Sequence, residues 1–204
     1  MARSTQGPGR QTSTRTGEDW GGRTVDAETF EGVEFVDCDL SEVVTAGATF
    51  IDCAFRGVQL NASAHTDTAF TNCTFARSTF FDTTFTRCKL VGSVFDDCTF
   101  DLLRVEGGNW SFVEMPRADL TSAVLRGARF READLTGARC AGATLRDLDL
   151  SGALLHRADL TGTDLRGSDL SALDPLSATL TGAIIDAGQA LTVADALGLD
   201  VRAD

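Results

Sequence analysis

Every fifth residue of this chain is large and apolar. Positions divisible by five from 30 to 185 hold Phe at 11 of 32 sites and Leu at 13, and all 13 Phe residues of the chain fall in that register except Phe81 and Phe112. Two residues before these sites the side chain is almost always small: Ala at 11 of them, Cys at five, Ser or Thr at seven, Val at four. A period of five matches neither the 3.6-residue turn of an amphipathic helix nor the two-residue alternation of a half-buried strand. It writes two buried columns, one large and one small, into an array of short repeats.

The unit is sharpest at Ala118-Asp119-Leu120 and in ADLTG, which occurs at 133–137 and again at 158–162. This pattern resembles the pentapeptide-repeat proteins over about 156 of the 204 residues. The resemblance implies an all-β solenoid, a right-handed quadrilateral β-helix in which each repeat forms one side and four repeats close one coil. Stacking of coils at about 4.8 Å then gives about eight coils and a rod about 38 Å long. Residues one coil apart form ladders such as Phe30, Phe50, Phe70, Leu90 and Trp110. Each buried member contributes roughly 1.5–3 kcal/mol of transfer free energy.

Three segments are expected. Residues 1–24 are Gly/Ser/Thr/Arg-rich without periodicity and read as a disordered N-terminal tail. Residues 25–185 form the array, and residues 186–204 a helical cap and dimerisation segment. In that last segment Asp186 is the expected N-cap and Gly198 the C-cap, with a stripe of Ala187, Ala190, Leu191, Ala194 and Leu197. Leu191, Ala194, Leu197, Leu199 and Val201 are expected to cover the last coil and to build a two-fold homodimer. Within the array the large column passes from Phe to Leu across 102–119, where Gly107, Gly108 and Pro116 cluster, and a bend or a changed turn is expected there.

Several functions are disfavoured. With 18 basic and 30 acidic residues the formal charge is −12, the wrong sign for a chain that neutralises phosphates, so no direct nucleic-acid partner is expected. No run of 18 apolar residues and no signal-type segment is present, so the expectation is a cytoplasmic protein with no membrane partner. No H-E-x-x-H, P-loop or G-x-S-x-G motif occurs, and no enzyme, metal or cofactor is expected. His65 occupies a large-column site and reads as structural, whereas His156 should face solvent. Cys53 and Cys73 lie one coil apart, within reach of a disulfide, yet Cys stands where Ala stands in other repeats and reads as a small buried filler.

What remains is surface. Residues 26–115 carry 15 acidic and five basic groups, and residues 116–185 carry nine and eight. A partner-binding acidic surface is expected at Asp82, Asp96, Asp97, Asp101, Glu106 and Glu114. A 38 Å rod corresponds to B-form DNA carrying roughly 22 phosphates. The segments VEFVDCDLSE (33–42), FTNCTFARSTFFDTTFTRCKLVGSVFDDCTF (70–100) and LDPLSATLTGAIIDAGQALTVADALGL (173–199) are similar to the fluoroquinolone-resistance branch of the family, the mycobacterial MfpA type first and the Qnr type more distantly. That likeness implies dimeric, non-enzymatic rods that bind DNA gyrase, or the related topoisomerase IV, as mimics of DNA. Two other readings stand beside it: a self-immunity protein against a gyrase-targeting antibiotic, and a structural or adapter β-helix with an unrelated partner.

Overall fold

The computed structural model describes residues 13–202. Over them the chain winds as a four-sided parallel β-solenoid that gains one level every 20 residues: Phe30 lies opposite Phe50, Phe35 opposite Phe55, and Phe85 opposite Val105. Among the described residues, fifteen three-residue strands run from Thr14–Thr16 to Thr144–Arg146, and one helix, Ala187–Ala196, follows.

The first side holds seven strands, from Thr24–Asp26 to Thr144–Arg146, and single bridges continue it through Asp164 to Ile184. The second side holds Thr29–Glu31, Thr49–Ile51 and Ala69–Thr71, extended by bridges through Lys89, Asn109, Arg129 and Asp149. The third holds five strands, from Thr14–Thr16 to Val94–Asp96, extended through Glu114, Asp134 and Leu154. The fourth is joined by bridges alone, Asp19 through Thr99 and then Asp119 through Thr179. Eight inter-coil steps separate Thr24 from Ile184, which at about 4.8 Å each span about 38 Å.

The core is the two inward columns. Stacked Phe rings repeat at the coil spacing, with Phe50 and Phe70 centroids 4.8 Å apart and 3° from parallel and Phe55 and Phe75 4.6 Å apart at 11°. Rings on adjoining sides meet edge to face instead, as Phe75 and Phe80 do at 70°. In the small column, polarity has a use that periodicity does not reveal. Cys53, Cys73, Ser93 and Thr163 each donate to the carbonyl of a large residue 23 positions earlier: Phe30, Phe50, Phe70 and Cys140. Ser78 and Ser93 also accept from the amides of Val58 and Cys73 one coil below, so the hydroxyl fastens two levels together inside the core. The six cysteines are free thiols. Burial pushes the Cys88 thiol up to about 11 and Cys140 to about 12, so both stay protonated.

Nearly every corner is made two residues after a large side chain, where the backbone takes positive φ: 51° at Asp37, 53° at Asp82, 66° at Gly137. Glycine is common there because it reaches this region without steric cost. The change of turn expected across 102–119 is present and starts earlier on one side. The second side loses its strands from Lys89 onward and the third from Glu114, each replaced by a tight turn such as Ser93 N–H to Leu90 carbonyl and Ala118 N–H to Met115 carbonyl. Where old and new turns stack, a cleft of about 350 Å³ opens between Asp96–Phe100 and Pro116–Ala118.

Both ends differ from expectation. Of the tail expected over 1–24, residues 1–12 lie outside the described residues, whereas residues 13–24 belong to the solenoid. Thr14–Thr16 pairs with Glu34–Val36, and Trp20 is buried in the core. Arg15 fills a large-column slot at this end, its guanidinium 5.3 Å from the Trp20 ring and 5.6 Å from Phe30, and it pairs with Glu18, which also accepts from the Trp20 indole. A cation stands here where later levels have an apolar residue, and that substitution hides the repeat in the sequence.

At the other end Asp186 is the N-cap as expected, in a capping box with Gln189. The C-cap is Leu197, with Gly198 one position beyond at φ 74°. The helix does not cover the last coil with the expected stripe. Its inward residues are Gln189, which is buried, and Val193, which packs on the core, while Ala187, Ala190, Leu191 and Leu197 are exposed. The Gln189 amide donates to the Leu165 and Ser168 carbonyls at 2.6 and 2.7 Å, filling acceptors that a further coil would fill. Among the described residues, no helix is long and apolar enough to cross a membrane.

Candidate protein interface on the fourth side

Three positions of each repeat face outward, and sorting them by side separates the charges. The first side carries five acidic and five basic residues, the second five and three, the third seven and four. Among the described residues, the outward positions of the fourth carry seven acidic side chains, Asp19, Asp39, Glu42, Asp82, Asp101, Asp119 and Asp159, and one basic one, Arg139. The opposite, second side holds Lys89, Arg129 and Arg131.

Local chemistry fixes many of these carboxylates. An Asp just before a large residue accepts from the backbone N–H two positions on: Asp19 from Gly21, Asp39 from Ser41, Asp119 from Thr121, Asp159 from Thr161. The A-D-L signature is therefore a turn-capping device first, in which one carboxylate oxygen holds the corner. The second oxygen is left outward on a side chain that is already ordered. Hydrogen bonds from Ser41 hold the Asp39 carboxyl below the usual carboxylate range, and those from Thr161 do the same for Asp159. Both remain charged at neutral pH.

Arginines mask part of the surface. On the fourth side Arg104 reaches round to pair with Asp82, and Arg139 pairs with Asp119 at 3.1 Å. Asp19, Asp39, Glu42, Asp101 and Asp159 form no ion pair among the described residues. On other sides Arg56 pairs with Glu34 and Arg87 with Asp67, both at 2.7 Å. These exposed pairs add little stability, but they decide which carboxylates show an uncompensated charge.

The six acidic residues expected from sequence do not share one surface. Asp82 and Asp101 stand on the fourth side, while Asp96, Asp97 and Glu114 stand on the third. Glu106 stands on the first, in register with Arg126. Asp19, Asp39, Glu42, Asp119 and Asp159 were not singled out, although sorting carboxylates by position modulo 20 brings them together. Of the expected dimer residues, Leu191, Leu197, Leu199 and Val201 are exposed, and Ala194 is half-buried.

His65 is fully buried between Thr45 and Ser63, whose hydroxyls lie 2.9 and 3.0 Å from its two ring nitrogens, and it stacks on Phe85. Desolvation pulls its pKa down to about 3, so the ring is neutral and inaccessible. No cluster of three or more metal-ligating side chains occurs among the described residues.

No curated protein matches the chain. Among solved structures it is similar to a trypsin-treated variant of QnrB1, a plasmid-mediated fluoroquinolone resistance protein, at 23% identity and a TM-score of 0.48, over 95% of this chain and 100% of that one. It is also similar to HetL, a pentapeptide repeat protein involved in heterocyst differentiation regulation from the cyanobacterium Nostoc sp., at 19% identity and a TM-score of 0.46, over 84% of each chain. The family model for pentapeptide repeats matches residues 106–137, 114–147 and 133–171. The five-residue units stack without a slip through the coils on either side of that match, so the described chain is a parallel β-solenoid built of pentapeptide repeats.

Proposed function

We propose that this protein is a non-enzymatic mimic of duplex DNA that docks its fourth side into the DNA-binding region of DNA gyrase and so modulates supercoiling and sensitivity to fluoroquinolones. The observation that carries this reading is the segregation of charge: seven carboxylates against one arginine on one side of a stiff rod. The likeness of three sequence segments to the fluoroquinolone-resistance branch of the family supplies gyrase as the partner. Binding, not bond making, is the mechanism.

The magnitudes define what the charges contribute. From Asp19 to Asp159 there are seven inter-coil steps, about 34 Å, over which one strand of B-DNA carries roughly 10 phosphates. With Arg104 reaching onto that side to pair with Asp82, the net −5 is about half of one strand's charge, enough to steer the rod toward a cationic saddle. Ordering of the capped carboxylates lowers the entropic cost of docking.

The same reading includes a homodimer. Leu191, Leu197, Leu199 and Val201 present apolar area at the end of the rod, where a second copy can bury it about a two-fold axis. The test of function is a supercoiling assay with purified gyrase, rising amounts of this protein, and a quinolone. A dose-dependent change in supercoiling or in quinolone inhibition is expected, and no change in either at saturating protein contradicts the proposal. For the dimer, light scattering on Leu199→Asp should report a monomer where the wild type gives twice that mass.

A further inference from the structure

The fourth side is not uniformly polar. In its middle stand two large apolar side chains, Phe81 with 51% of its surface exposed and Leu102 with 41%. They occupy adjoining columns on successive coils: the Asp82 amide donates to the Asp101 carbonyl, so Phe81-Asp82 lies directly against Asp101-Leu102. Each apolar residue therefore has a carboxylate beside it in the chain and another on the neighbouring coil. Neither belongs to the inward columns, and Phe81 is one of two phenylalanines outside the five-residue register.

Leu102 is also in the wrong backbone conformation for its type. Its φ is 59°, in the left-handed region that the same column of this side fills with Gly at 22, 142, 162 and 182 and with the shorter or polar Glu42, Ala62 and Asp82 elsewhere. A bulky side chain there costs stability, and a Leu with 41% of its surface exposed returns only part of that cost by burial. Isolated surface apolar residues are ordinary. Two adjoining ones on the most acidic side, one of them held in an unfavourable conformation, are not explained by folding.

We infer that Phe81 and Leu102 form an apolar anchor for a cationic protein surface, the partner being gyrase, an identification that rests on the function proposed above. Charge complementarity selects this class of partner: Asp82 and Asp101 ring the anchor, and the side as a whole repels anions. The anchor also supplies what the carboxylates lack. They steer the encounter but fall short of the charge density of DNA, whereas a desolvated aromatic contact at the centre of an interface slows dissociation. Phe112 supplies a control, since it has φ 60° and 51% exposure but stands on the opposite side.

The experiment measures binding of full-length Phe81→Ser, Leu102→Gly, Asp101→Asn and Phe112→Gly to immobilised gyrase at two salt concentrations, with a thermal melt of each variant. Phe81→Ser should weaken binding about tenfold or more through faster dissociation, at both salt concentrations. Leu102→Gly should weaken binding while its melting temperature rises, which separates an anchor from a folding role. Asp101→Asn should slow association at low salt, and Phe112→Gly should bind as the wild type does. Wild-type affinity in both Phe81→Ser and Leu102→Gly would overturn the anchor and leave the gyrase reading standing. Failure of the wild type itself to bind would overturn both.

Discussion

Gly108 lies against Cys88 so closely that a β-carbon on it would collide with the Cys88 carbonyl oxygen and stand 2.8 Å from the Cys88 nitrogen. Its φ of 91° is also outside the range of other residues. Both constraints act at the seam where the turns change, and neither can relax without displacing the coil below. Gly108→Ala is expected to destabilise the fold by about 2–4 kcal/mol. Gly127→Ala, at φ 62° with open space around it, should cost only about 1 kcal/mol. Thermal denaturation followed by circular dichroism checks the difference.

Ser93 tests the hydroxyl rungs of the small column. Its side chain accepts from the Cys73 amide at 3.0 Å and donates to the Phe70 carbonyl at 2.8 Å, all within the core. Ser93→Ala leaves both partners without a side-chain bond and should cost about 1–3 kcal/mol. Ser93→Cys keeps a donor of the kind Cys73 uses toward Phe50 and should lose less. Denaturant midpoints at constant m-value give the comparison.

His65 predicts a pH dependence. Burial holds its folded-state pKa near 3, below the ordinary value of 6.5, so the unfolded chain takes up the proton first. Its contribution to stability is intact above pH 6.5 and falls as pH drops toward 3, by about 1.4 kcal/mol per pH unit. His65→Phe fits a column already filled by Phe85 on the next coil, and Thr45 and Ser63 retain Thr68 and the Leu60 carbonyl as partners. The variant should show a shallower loss of stability between pH 6 and 4, read from denaturant unfolding across that range.

Gln189 should act locally. Gln189→Leu removes the donors to Leu165 and Ser168 and half of the capping box with Asp186, at a cost of about 2–3 kcal/mol. Because coils contact only their neighbours, the loss should appear as fraying of the terminal coil. Hydrogen exchange should quicken at Leu165–Leu173 and stay unchanged at Phe50–Phe75.

The inward positions were legible in the sequence from the five-residue register, and the four-sided fold from the family resemblance which that register carries. The first coil was not, since Arg15 at a large site and the Gly-rich stretch around Trp20 mask a register that Trp20 and Val25 keep. The helix was legible through Asp186, but its inward face was read from hydropathy alone, and the residue that seals the coil is polar Gln189. The acidic side is not visible in charge taken along the chain. Asp39 and Asp119 are 80 positions apart and share a side only because each coil takes 20 residues.

The central claim is that the fourth side competes with duplex DNA for gyrase. Displacement of a labelled duplex from gyrase should be measured for the wild type and for a triple variant, Asp39→Asn, Asp101→Asn and Asp159→Asn, in which the amide oxygens keep the turn caps at 39 and 159. The account predicts that the wild type displaces the duplex more strongly at low salt, and that the triple variant, folded as before, is weaker by about tenfold or more. Equal displacement by both proteins, or none by either, would contradict it.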